Sequence, residues 1–209
     1  MVAHPGSGRG FGVDVSPLAS RLLFGVPAGQ LASTVVDLAD LWGSKLAGEI
    51  HERLHAAANW SERFCVVDDV LGRTLSSQEN VQLPAEIVEA WRCVVASRGQ
   101  TSIEELAAHV GWSRRHLASR FKTEVGLTPK ALSRIVRFEH ACELLLHPRR
   151  SSLAEVAAVA GYYDQSHLTR EWSELAGCTP TAWLAEEFHD PPRLDVELPF
   201  VQDVGRLVG

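Results

Sequence analysis

An all-α fold follows from three features of this chain of 209 residues. Apolar residues recur at helical spacing through most of its length. Helix-start chemistry recurs with them: Ser102-Ile103-Glu104-Glu105 and Ser152-Leu153-Ala154-Glu155 both have the form of a capping box. The stretch that follows the first box is then repeated after the second, and an internal repeat marks a duplicated structural unit.

Taken in order, residues 1–10 are Gly-rich and expected to be disordered. Phe11 to Val15 alternates apolar and polar side chains, which fits a short strand. Pro17 to Phe24 predicts a short helix, with Ser16 as cap and Pro17 in the first turn, and Gly25-Val26-Pro27 breaks it. A segment from Val35 to Leu41 ends at Trp42-Gly43. Leu46 to Ala58 predicts a helix through Leu46, Ile50 and Leu54, and Ser61 to Leu75 another through Phe64, Val67, Val70 and Leu71. Pro84 to Ser97 predicts a third, with Ile87, Val88, Trp91, Val94 and Val95 on one side. Residues 11–80 thus read as a small, mostly helical, acidic region.

After the first capping box, Ile103, Leu106, Ala107 and Val110 form an apolar stripe, and Gly111 ends the helix. Ser113 can cap the next helix, in which Leu117 and Phe121, four apart, share the face that anchors to a core. Arg115, Ala118, Ser119 and Lys122 share another face. A helix with cations around small side chains can enter the DNA major groove, where Arg reads guanine and Lys or Arg grips phosphate. Short helix, Gly turn and basic helix make a helix-turn-helix.

Thr128-Pro129 then starts a long helix by cap and first-turn Pro, running to about Leu146 before His147-Pro148 stops it. In the second unit Gly161 answers Gly111 at an offset of 50. One extra residue in the turn makes the offset 51 for His167-Leu168, which answer His116-Leu117. Trp172 answers Phe121, and Gly177-Cys178-Thr179-Pro180 answers Gly126-Leu127-Thr128-Pro129. Pro180 to Phe188 predicts a closing helix. Residues 190–209, with Pro191, Pro192 and Pro199, are expected to lie as a surface tail.

Two such units in tandem resemble the DNA-binding domain of the AraC/XylS family of bacterial transcription regulators. The segment from Gly161-Tyr162-Tyr163-Asp164-Gln165-Ser166-His167-Leu168-Thr169-Arg170 through Gly177-Cys178-Thr179-Pro180 is close to that family's signature. The resemblance covers about residues 84–188 and implies a first helix-turn-helix at about 98–127, a linker helix at 128–147 and a second unit at 150–188, with 189–209 as tail. It implies that each second helix enters a major groove. The two then meet successive grooves about one helical turn apart, ~34 Å. Residues 11–80 resemble the helical stretch behind a β-rich sensor domain in some members. Too few residues precede Phe11 to build that sensor, so the chain is expected to be either a short form or one that lacks its front.

In the first unit, Arg115 and Ser119 are the candidates for base contact, with Arg114, Arg120 and Lys122 on phosphate or flanking the site. The family often has Arg where Ser119 stands; here it comes one residue later. In the second unit the candidates are Gln165, Ser166, Thr169 and Arg170. Leu168 and Trp172 are expected inward, with Ser166, Thr169, Arg170 and Ser173 outward. Glu171 stands at the position of Arg120, which predicts weaker phosphate attraction for the second unit. His116 and His167 are expected to pack or touch phosphate.

Charge sharpens the contrast. The whole chain carries −6, residues 98–147 carry +3 and residues 148–189 carry −3, so the one basic segment holds the first unit. Cys65, Cys93, Cys142 and Cys178 have no Cys-x-x-Cys spacing and are expected as small buried side chains in a reducing compartment. No 18-residue apolar run or signal-peptide core is seen, so a cytoplasmic protein is expected, with no membrane partner.

The expected function is therefore sequence-specific transcription regulation on double-stranded DNA, without catalysis or cofactor. RNA polymerase, a second copy of the chain and a small-molecule effector stay open as partners. One alternative is a truncated interaction protein that heterodimerises with a full-length relative and binds DNA weakly; its acidic second unit favours it. A more distant one is a zinc hydrolase. His51-Glu52-Arg53-Leu54-His55 matches His-Glu-x-x-His, in which two His one turn apart bind zinc and the Glu activates water. However, Ala58 and Ser61 stand where the extended motif needs Gly and a third His. Glu62 and Glu79 have no supporting pattern as substitutes.

Overall fold

The computed structural model describes residues 12–77, 82–147 and 152–187. The expectations for residues 1–10 and 190–209 lie outside these. The described residues form eleven α-helices and one 3-10 turn, with no strand among them, as the all-α reading requires.

The strand expected at Phe11 to Val15 does not form; residues 12–16 carry no regular structure. An isolated strand has no ladder to satisfy its backbone groups, and none of the described residues supplies one. Val13 and Val15 instead line an apolar cavity of about 260 Å³ with Phe24, Trp42, Ile50 and Val70. After the 3-10 turn over Pro17–Ala19, α1 (Ser20–Phe24) ends at Gly25, whose φ of 72° suits a residue without Cβ. Ser16 sits at the cap position, but its hydroxyl makes no cap bond; only its carbonyl accepts, from the Ala19 N–H.

The short α2 (Ala28–Leu31) has no counterpart in the sequence reading. The span α3 (Leu38–Ala56) holds two helical stretches that meet at a kink at Gly43, whose φ of 80° and ψ of 152° are not helical. Gly43 thus separates the two stretches, where the sequence reading ends the first. Asp37 caps α3 by accepting the Ala39 N–H at 2.8 Å. Against it packs α4 (Trp60–Ser77). Arg53 and Arg73 join Glu49 and Asp69 across the pair, and those guanidiniums hold both carboxyls below their ordinary range. All four side chains are exposed, so the network adds little stability.

The remaining helices are α5 (Ala85–Ala96), α6 (Ile103–His109), α7 (Arg114–Val125), α8 (Pro129–Leu146), α9 (Leu153–Ala160), α10 (Gln165–Ala176) and α11 (Pro180–Glu187). They bury two separate cores. The first gathers Leu18, Ile87, Trp91, Leu106, Phe121 and Leu132 among others. The second gathers Ala141, Val156, Ala157, Leu168, Trp172 and neighbours. The helix α8 serves both, giving Leu132 and Val136 to the first core and Ala141, Cys142 and Leu145 to the second. Its start is as the sequence predicts: Thr128 accepts the Ala131 N–H and Pro129 fills the first turn.

The cysteine expectation needs correction. Only Cys142 is buried; Cys93 and Cys178 are half-buried and Cys65 is exposed, and all four are free thiols. Cys65 is on the outer side of α4, where no core closes over it.

Candidate nucleic-acid interface

Both units are built alike at the atomic level. Ser102 accepts the Glu105 N–H while the Glu105 carboxylate accepts the Ser102 N–H. Ser152 and Glu155 do the same. These bonds hold both carboxyls below their ordinary range. The second helices are capped as well. Ser113 accepts the His116 N–H at 3.2 Å, and Asp164 accepts the His167 N–H at 2.7 Å. Gly111 (φ 74°) and Gly161 (φ 81°) make the turns in the left-handed region.

Each second helix is pinned by its inner face. Leu117 and Phe121 in α7, and Leu168 and Trp172 in α10, are all fully buried. Phe121 stacks on Trp91 of α5 with centroids 6.4 Å apart. Trp172 meets Phe138 of α8 edge-on at 4.7 Å and Trp183 of α11 at 5.3 Å. The opposite faces are open. Arg114, Arg115, Ser119, Arg120 and Lys122 are exposed on α7, as are Gln165, Ser166 and Arg170 on α10.

Three candidates carry local attachments. Arg114 approaches Glu104 at 3.8 Å with both side chains exposed, and Arg120 approaches Glu124 at the same distance. Thr169 is half-buried and its hydroxyl donates to the Gln165 carbonyl at 2.9 Å. Ser173, expected outward, is half-buried and donates to the Thr169 carbonyl. His116 and His167 pack edge-on against Trp112 and Tyr162, at 4.6 and 5.4 Å, which favours the packing role over metal ligation.

Glu171 does not lie on the open face of α10. Its side chain is only 8 % exposed, and its carboxylate accepts from Arg134 and Arg137 of α8, each at 3.1 Å. Arg134 also reaches Glu174. The acid that aligns with Arg120 therefore faces the linker helix and ties α10 to α8, not the outward face. Glu171→Gln should lower unfolding stability by about 1–3 kcal/mol, the cost of weakening a buried charge-assisted network. Urea melts would check this, and a change under ~0.5 kcal/mol would contradict the tie.

A further exposed residue escaped the sequence reading. Tyr163 is 93 % exposed at the head of α10, and its N–H donates to His167 Nδ1 at 3.3 Å. The signal was present: Tyr163 lies in the second turn, which is one residue longer than the first.

The N-terminal helices also reach this site. The Arg21 guanidinium of α1 grips Glu124 of α7 with Nε on Oε2 and Nη2 on Oε1, the latter at 3.1 Å. That hydrogen-bonded carboxylate raises the Arg21 pKa. A Cβ on Gly29 of α2 would stand 2.4 Å from the Thr123 carbonyl oxygen and 2.5 Å from that of Lys122, so only glycine lets α2 lie on the end of α7.

The His51 and His55 rings of the zinc-like motif meet edge-on at 4.3 Å on the exposed side of α3. Arg53 between them pairs with Asp69 of α4. No third ligand joins these histidines among the described residues.

Two capped helix pairs, each with a buried inner face and an open polar outer face, define a tandem helix-turn-helix protein. A family model described as a helix-turn-helix domain matches residues 106–186, consistent with the resemblance to the AraC/XylS family. Similar curated proteins include the MmsAB operon regulatory protein of Pseudomonas aeruginosa, 35% identical over 81 residues, which is 39% of this chain and 26% of that protein. The HTH-type transcriptional regulator RipA of Corynebacterium diphtheriae is 26% identical over 175 residues, 74% of this chain and 52% of the relative. The HTH-type transcriptional regulator MtrA of Neisseria gonorrhoeae is 29% identical over 85 residues, 41% and 28% respectively. The chain thus spans about half or less of each of these relatives. No solved structure matches it. No helix among the described residues is long and apolar enough to cross a membrane.

Proposed function

We propose that the chain is a sequence-specific, DNA-binding transcription regulator that lays α7 and α10 into major grooves of one duplex. The observation that carries this reading is the repeated geometry: in both units the second helix is anchored by two fully buried side chains and leaves its polar face open. The relatives named as transcription regulators, and the helix-turn-helix match, support it.

Base contact falls to Arg115 and Ser119 in the first unit and to Gln165, Ser166, Thr169 and Arg170 in the second. Arg114, Arg120 and Lys122 serve phosphate. The helix α8, shared by both cores, sets the spacing of the two reading helices. The first unit supplies most of the affinity, because α7 exposes four cations where α10 exposes Arg170 alone. The second unit refines the choice of sequence.

Arg115→Ala should weaken binding to a selected operator by about 1–3 kcal/mol, roughly five- to 150-fold, if Arg115 bonds guanine in two places. Arg170→Ala should cost less. Titration of both variants on DNA fragments selected from random sequence, at two salt concentrations, checks this. Equal losses, or a larger loss for Arg170→Ala, would overturn the division of labour. Salt-independent, micromolar-or-weaker binding to every selected fragment would overturn DNA binding itself.

A further inference from the structure

Where α5 passes α6, three side chains of different ligand chemistry converge. Glu89 and Cys93 lie four apart on α5 and so project from one face. His109, the last residue of α6, reaches toward them. Glu89 Oε1 lies 2.8 Å from His109 Nε2 and 3.4 Å from Cys93 Sγ, and the three donor atoms all fall within 4.8 Å of one another. The other carboxylate oxygen, Oε2, is taken by Arg92, which turns Oε1 toward Cys93 and His109. Metal-ligating side chains are commonly oriented by such outer partners.

Zinc bonds to N, O and S donors are about 2.0–2.3 Å long, which puts tetrahedral donors roughly 3.3–3.8 Å apart. The 2.8 and 3.4 Å separations from Glu89 Oε1 lie close to that range, so small side-chain shifts suffice. Magnesium and calcium take oxygen ligands alone, whereas a thiolate, an imidazole and a carboxylate together match a borderline-soft ion. His109 is 55% exposed, which gives an ion a route in. None of the three residues belongs to the proposed DNA contacts.

We propose that Glu89, Cys93 and His109 form a zinc-binding site that clamps α6 to α5, with the fourth coordination position held by water. The clamp fixes the end of α6 two residues before the Gly111 turn that leads into α7. It does not depend on the DNA-binding reading, since it concerns the ion alone.

Titration of the tag-free full chain with Co²⁺, followed by displacement with Zn²⁺, tests the site. The expected result is one ion per chain, a near-ultraviolet thiolate-to-cobalt band, and strong visible bands of a tetrahedral centre that Zn²⁺ abolishes. Cys93→Ser should remove the near-ultraviolet band, and His109→Ala should weaken Co²⁺ affinity at least tenfold. Cys65→Ser and His51→Ala should change neither. Because His109 is exposed, His109→Ala keeps the test open should Cys93→Ser fail to fold by circular dichroism. No band at saturating Co²⁺, a band that survives Cys93→Ser, or unchanged affinity in His109→Ala would overturn the site. Loss of the signal in Cys65→Ser or His51→Ala would also overturn it, by placing the ion elsewhere.

Discussion

Trp172→Ala should lower stability by about 4 kcal/mol, the middle of the range for deleting a buried aromatic side chain. Trp172 is fully buried and stands between Phe138 of α8 and Trp183 of α11. Its removal leaves a cavity bordered by two rings from different helices, and neither helix can close the gap alone. The two cores share no buried residue, so the damage should concentrate in the second unit. Hydrogen exchange is the discriminating measurement. Amides of α9, α10 and α11 should lose protection while those of α5, α6 and α7 keep theirs. Uniform loss across both units would show that the cores unfold as one.

The second large effect is expected at the other end of the chain. Arg21→Ala should cost about 3 kcal/mol, the low end of the range for leaving a buried charge without its partner. The Glu124 side chain is 1% exposed and loses both of its close hydrogen bonds; among the described residues only Arg120 remains, at 3.8 Å. Adding Glu124→Gln to that variant should restore part of the loss, because a neutral amide is less costly to bury than a carboxylate. Thermal melts of the single and double variants provide the check. A double variant no more stable than Arg21→Ala would mean that the buried charge is not what matters.

How much of this was legible beforehand depends on the range of the chemistry. Caps and turns are written within a few residues: Ser102 with Glu105, Ser152 with Glu155, Thr128 with Pro129, and the turn glycines Gly111 and Gly161. Those elements stand where the sequence places them. The inward and outward faces of α7 and α10 follow from helical periodicity, and Leu117, Phe121, Leu168 and Trp172 are all buried. Partners distant in the chain left no such trace. Glu171 meets Arg134 and Arg137, 37 and 34 residues away, so the repeat located it but could not tell which way its charge turns. Arg21 and Glu124 are 103 residues apart. The four residues of α2 are too few to show a period. Alternation at Val13 and Val15 imitates a strand, yet a strand needs a neighbour that the described residues do not offer.

The grip of Arg21 on Glu124, with Gly29 seated against the end of α7, gives the molecule an asymmetric wiring. A pull or a twist applied near the N-terminal side arrives at one reading helix directly. To arrive at the other it passes along α8, or across the bond that Gln100 donates to the Val159 carbonyl of α9. The two halves of a duplicated machine are thus unequal levers, one near the hand and the other at the far end of the shaft.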